Sequence, residues 1–240
     1  MKKKRKKHLI NKFIYQNFNK SLEDLKDLKN YFWLSLFLFI IVSLIGFAFP
    51  TFFEDEIRGI IKGLVDKTES LGPVELTVFI ISNNIFSSFI GMVSGIFVSV
   101  PSATIIIVNA YLLGFVANIS VQKFGFLFLW RLYPHGIFEI PAILISTSLG
   151  IRIGYLLMRD SIIEYNKKIN NLAYYFIIIL SILTFFFSFI IYILMSLLNK
   201  KLRQKFTNNF NYSLRIFILI VVPLLVIAGI IEGVLIYFVK

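Results

Sequence analysis

The chain has 240 residues, of which 58% are apolar and only 16% charged, too few charges to coat a soluble domain of that length. It has no cysteine, which excludes a disulfide framework, thiolate metal sites and cysteine nucleophiles. The formal charge of +12 gathers in two clusters between long apolar runs. That pattern favours a membrane surface over nucleic acid as the partner of the basic residues. A bilayer crossing needs about 20 apolar residues, and several runs reach that length. The predicted class is an all-α, polytopic helical membrane protein with five to six transmembrane helices and an N-terminal amphipathic interfacial helix.

In chain order, residues 1–30 hold ten Lys or Arg against three acids. Met1–Lys7 reads as a solvated basic tail that can meet anionic lipid headgroups. Ile10, Phe13, Ile14, Phe18, Leu22, Leu25 and Leu28 then recur at helical spacing, predicting an amphipathic helix over 9–29 in the cytoplasmic interface. Residues 31–240 form a single transmembrane domain on this reading. Tyr31–Pro50 is its first crossing. Residues 51–73 carry five acids against three bases, the opposite bias, which puts them outside. Within them Phe53, Ile57, Ile60, Ile61 and Leu64 share a face and predict a short interfacial helix.

Val74–Val100 is the second span. Asn83, Ser87, Gly91, Gly95 and Ser99 repeat every fourth residue, giving a nearly flat helix side for packing. Asn83 and Asn84 are candidates for interhelical hydrogen bonds or for a substrate contact. Ser102–Val121 is a third helix, with Asn109 in its middle, and Phe124–Leu132 is too short to cross and reads as re-entrant or interfacial. The stretch 130–158 begins with Pro134 in a first helical turn and puts His135 and Glu139 four residues apart on one face. Pro141 is expected to kink or loosen the helix just past Glu139. Ala142, Ser146, Gly150 and Gly154 follow as a second small-residue row. Leu172–Leu198 reads as a lipid-facing span, residues 199–215 as a basic loop, and Ile216–Val239 as the last span, with Glu232 inside it.

Charged groups inside a membrane are costly unless paired, so Glu139 and Glu232 mark a candidate polar site together with His135, Arg131, Asn83, Asn84 and Asn109. Arg131, Arg152 and Glu232 are candidate charge partners. With the N-terminus cytoplasmic, six crossings place the basic loop 199–215 outside, against the positive-inside tendency. Either a segment between residues 74 and 133 is re-entrant, leaving five crossings, or this loop is an exception.

The run Pro134-His135-Gly136-Ile137-Phe138-Glu139-Ile140-Pro141-Ala142 resembles the most characteristic motif of the stage II sporulation protein M family. Asn83-Asn84 before a glycine-rich helix, Asn109, and Pro223 with Glu232 are also similar to that family, although Ala110 stands where it usually has glycine. The resemblance implies a non-enzymatic organiser in the cell membrane that recruits protein partners and needs no cofactor. Relatives of permease halves, working with a separate ATPase, are the alternative it suggests. The residues themselves exclude several catalytic classes. Only His8 and His135 exist, so an H-E-x-x-H zinc site is absent, as are a Walker A loop and GxGxxG. Gly91–Gly95 lacks the glycine that precedes a rhomboid-type serine by two. Anionic lipid, unidentified protein partners and a second copy of the chain remain the expected contacts.

Overall fold

The computed structural model describes residues 2–96, 99–166 and 199–238, with side chains placed for 11–96, 99–130, 136–157, 159–160 and 199–236. These residues form eight α-helices and no strand: α1 Lys2–Asp24, α2 Lys29–Ala48, α3 Glu54–Thr68, α4 Pro73–Val93, α5 Val100–Phe124, α6 Tyr133–Asn166, α7 Lys200–Ile216 and α8 Val222–Phe238. Five stretches among them are long and apolar enough to cross a membrane: Lys29–Ala48, Pro73–Ile96, Val100–Phe124, Gly136–Leu157 and Lys200–Ile236. The expected span Leu172–Leu198 lies outside the described residues.

Local chemistry sets most helix ends. Pro50 disfavours helical backbone at Phe49, where α2 stops and a short 3-10 turn begins. α3 carries Glu54, Asp55 and Glu56 in its first turn and Lys67 in its last, which complements the helix dipole at both ends. The Glu75 carboxylate accepts from the Gly72 N–H at 2.9 Å, and Pro73 fills the first position of α4. α4 passes through a 3-10 turn, and the chain reverses at Ser99, a left-handed residue with φ 67°. Pro101 then sits in the first turn of α5, which ends at Gly125, whose φ of 83° suits glycine. A 3-10 segment, Phe126–Leu132, leads into α6.

α6 runs 34 residues through Pro141. The proline removes one backbone bond, yet the helix continues rather than ending, because the packed turns on either side hold it. α7 and α8 are joined by a π turn over Phe217–Val221. That wider turn lies just before Pro223, whose ring crowds the carbonyl four residues back.

α6 is the centre. Of its most apolar window 72% is buried, against 17–39% for the other spans. α2 and α5 pack on one side of it, α4 and α8 on the other. Facing residues give the directions. Gly46 and Gly114 bring α2 and α5 together in parallel, Ser35 meets Ser148 so that α2 opposes α6, and Gly229 and Gly233 meet Ile81 and Thr77 so that α8 opposes α4. The spans therefore alternate. α1, the start of α2, the Ser99 turn, the C-terminal half of α6 and α7 share one end of the bundle; α3 and the starts of α4 and α6 share the other.

Two sequence expectations change, and one point the sequence leaves open is decided. The basic Met1–Lys7 run is not a tail distinct from the amphipathic helix: from Lys2 it is part of α1, since lysine and arginine are good helix formers. Residues 199–215 are not a loop. Asn199 caps α7 by accepting from the N–H groups of Lys201 (3.0 Å) and Leu202 (3.4 Å), while Leu202, Phe206, Phe210 and Ser213 recur toward the core. Nor does this basic segment sit opposite the N-terminus. Asp160 of α6 meets Lys205 of α7 at 3.5 Å, and α7 packs on α1, so both basic clusters occupy one end.

Candidate functional site

Small residues on α4, α5 and α6 set how closely the helices approach. A Cβ at Gly95 would strike the Gly150 backbone, and one at Gly150 would strike the Gly91 carbonyl and the Ser102 hydroxyl. A Cβ at Gly154 would lie 2.6 Å from the Gly95 carbonyl oxygen. Gly91, Gly95, Gly150 and Gly154 therefore face one another across the α4–α6 seam, where backbones touch. Serines bond across it and tie α5 to it. The Ser146 hydroxyl donates to the Ser88 carbonyl, Ser102 to the Gly91 carbonyl at 2.8 Å, and Ser99 to the Ile151 carbonyl at 3.0 Å. Ser148 donates to the Ser35 hydroxyl at 2.9 Å, tying α6 to α2. Ser87 is half-buried beside this seam, and the buried Ser88 supplies the contact instead.

The carboxylates lie toward the α3 end. Ser146 faces Ser88, and Glu139 precedes Ser146 by seven residues, about 10 Å of helix. This puts Glu139 level with Ile81 on the parallel helix α4. Gly229 faces Ile81 and Gly233 faces Thr77, so Glu232 stands at nearly the same level on α8. Asn84 is half-buried one turn below on α4. Glu139, Glu232 and Asn84 thus occupy one layer of three mutually packed helices. Both carboxylates are half-buried and engaged in interactions. The side chains of Arg131 and His135 lie outside the described residues.

Two expected partners are elsewhere. Asn109 donates to the Ile105 carbonyl of its own helix at 2.8 Å, so its amide is used within α5. Arg152 does not meet Glu232. Its guanidinium lies 4.1 Å from the Tyr212 ring centroid, 13 residues or about 20 Å along α6 from Glu139.

That contact belongs to a charged node at the opposite end, which the sequence reading missed. The Arg215 guanidinium pairs with the Asp24 carboxylate, and the Tyr212 hydroxyl donates to the Asp24 carbonyl. Arg215 also lies 6.0 Å from the Tyr212 ring. Asp160 meets Arg159 at 3.2 Å as well as Lys205. The node clamps α1, α6 and α7 together. Its only sequence trace is an acid, Asp24, at the end of a basic amphipathic helix, and the partner is 191 residues away.

At the α3 end, the Tyr111 hydroxyl donates to the Phe49 carbonyl at 2.7 Å, and Ile57 packs on Tyr111 and Phe115. Asn118 donates to the Phe47 carbonyl at 2.8 Å. α3 is thereby held against α5, with Ile60, Leu64 and Val65 left exposed.

Five alternating apolar spans, four of them packed around the buried α6 and sealed to it and to one another by glycine and serine contacts, define a multi-pass helical membrane protein. The chain belongs to the Stage II sporulation protein M family, whose family model matches residues 35–235. No curated protein and no solved structure gives a significant match.

Proposed function

We propose that the protein is a non-enzymatic membrane scaffold that holds protein partners at the cell membrane, with the α1–α7 end cytoplasmic and α3 on the outer face. The observation that carries this reading is the backbone-to-backbone seam between α4 and α6. With Gly91 and Gly95 against Gly150 there is no room along it for a passing solute, and movement would break several serine bonds. The bundle serves as a rigid frame. What it presents is at its ends: α3, with exposed Ile60, Leu64 and Val65 beside acidic side chains, and α1 with α7, amphipathic and basic.

Orientation follows from charge. Lys12, Lys20, Lys26, Lys29, Arg152, Arg159, Lys200, Lys201, Arg203, Lys205 and Arg215 gather at the α1–α7 end, while the other end has the fewer bases Arg58, Lys62, Lys67 and Lys123 among the acids Glu54, Asp55, Glu56, Asp66, Glu69 and Glu75. A positive-inside bias of that size makes the first end cytoplasmic. There α1 exposes Phe13, Ile14, Tyr15 and Phe18, which suit the acyl boundary, with its basic residues meeting anionic headgroups.

Glu139 and Glu232 complete the frame as a polar layer between α4, α6 and α8. The test is purification of the full chain in mild detergent after crosslinking in cells, followed by mass spectrometry. The scaffold reading expects surface or wall-associated proteins crosslinked through α3, unchanged by ATP. A stoichiometric soluble ATPase bound at the cytoplasmic end, with ATP-dependent flux in vesicles, would instead establish a permease-like subunit.

A further inference from the structure

α4 has three faces, and two are occupied. Ser88 and Gly91 meet α6; Thr77, Ile81 and Phe89 meet α8 and the turn before it, with the Phe89 and Phe217 rings 5.5 Å apart. Among the described residues no helix covers the third face, which is open along the whole of α4. Val74, Val78, Ser82, Phe86 and Ile90 form its row, with Val78 56%, Phe86 65% and Ile90 40% exposed.

Asn83 stands on this open face. It is ten residues from each end of α4, about 15 Å, which is the middle of the hydrocarbon. Its side chain is exposed and makes no hydrogen bond among the described residues. A carboxamide offers two N–H donors and a carbonyl acceptor, and acyl chains satisfy neither. Lipid headgroups are half a membrane away.

From this we infer that the open face of α4 is a self-association surface on which Asn83 pairs with Asn83 of a second copy. A carboxamide is its own complement, since the donor of one faces the acceptor of the other. A two-fold axis through this point supplies both partners from a single sequence position, as an isologous contact requires. Phe86 and Ile90, three and seven residues on, share Asn83's side of the helix and pack against their counterparts. The inference is independent of whether the protein is a scaffold or a permease.

The test uses the full chain, whose lack of cysteine makes any introduced thiol the only one. Copper-phenanthroline oxidation in native membranes should link Phe86→Cys or Ile90→Cys, on the same side of α4 with Asn83 intact, into a covalent dimer. Phe37→Cys and Ile230→Cys, exposed at 65% and 48% on other spans, should remain monomeric. In vesicles, energy transfer between labelled copies should show Asn83→Leu weakening self-association roughly 3- to 30-fold, with Asn83→Gln close to wild type. Dimer yield at positions 86 and 90 no higher than at 37 and 230 would overturn the inference. So would unchanged energy transfer in Asn83→Leu, or disulfides from positions 86 and 90 only to a different protein.

Discussion

Adding one methyl group to α6 should have opposite effects at two of its glycines. Gly136 has open space around the position of a Cβ, whereas at Gly150 the same carbon would strike the Gly91 carbonyl and the Ser102 hydroxyl. Alanine is favoured over glycine within a helix by about 1 kcal/mol, so Gly136→Ala should gain up to that amount. Gly150→Ala gains the same propensity but overpacks the seam, at about 1–3 kcal/mol or more because one of the struck atoms is backbone. Because a backbone atom must give way, the cost falls at the upper end of that range and the net loss should be about 2 kcal/mol; trimming Ser102 to alanine should not restore it, since the carbonyl remains. Reversible unfolding in mixed micelles at rising SDS fraction would measure both variants. Equal stability of Gly150→Ala and Gly136→Ala would refute the backbone contact between α4 and α6.

Breaking the Asp24–Arg215 pair should cost about 1–3 kcal/mol for either Asp24→Asn or Arg215→Met, because both side chains are largely buried. A double-mutant cycle should return a coupling of at least ~0.5 kcal/mol, and strict additivity would contradict the clamp. Glu139→Gln keeps shape and hydrogen bonding, so a structural role predicts near-normal folded yield by size-exclusion chromatography, with Glu139→Leu low. A folded but functionally dead Glu139→Gln would assign Glu139 to proton or ion sensing instead. Ser148→Ala removes the bond to Ser35 and should lower stability by about 1 kcal/mol; no change would mean that the α2–α6 contact rests on apolar packing alone.

The spans and the helix led by Pro134 are legible in the sequence because both rest on local signals, apolar run length and proline position. The four-spaced glycines show which side of α4 and α6 is flat, though not which helix it meets. By charge alone residues 199–215 read as a loop. The period Leu202, Phe206, Phe210, Ser213 marks an amphipathic helix beneath those charges. Where α7 docks depends on Asp24, Tyr212 and Arg215, which no periodicity connects. Arg152 looked like a partner for Glu232 by charge, but position along α6 decides the matter, with its guanidinium drawn to Tyr212 at the other end. The same docking fixes which end of the bundle the second basic cluster occupies. Lys205 reaches Asp160, so α7 begins at the end where α6 finishes, and the basic segment shares the face of α1.

Single-cysteine labelling at Lys62 on α3 and Arg203 on α7 tests this arrangement most directly, since the chain has no cysteine of its own. A membrane-impermeant maleimide should label Lys62→Cys in intact cells and Arg203→Cys only after permeabilisation, with Lys12→Cys behaving like Arg203→Cys. Labelling of positions 62 and 203 from the same side, or of 12 and 203 from opposite sides, would contradict the five alternating spans and the shared basic end.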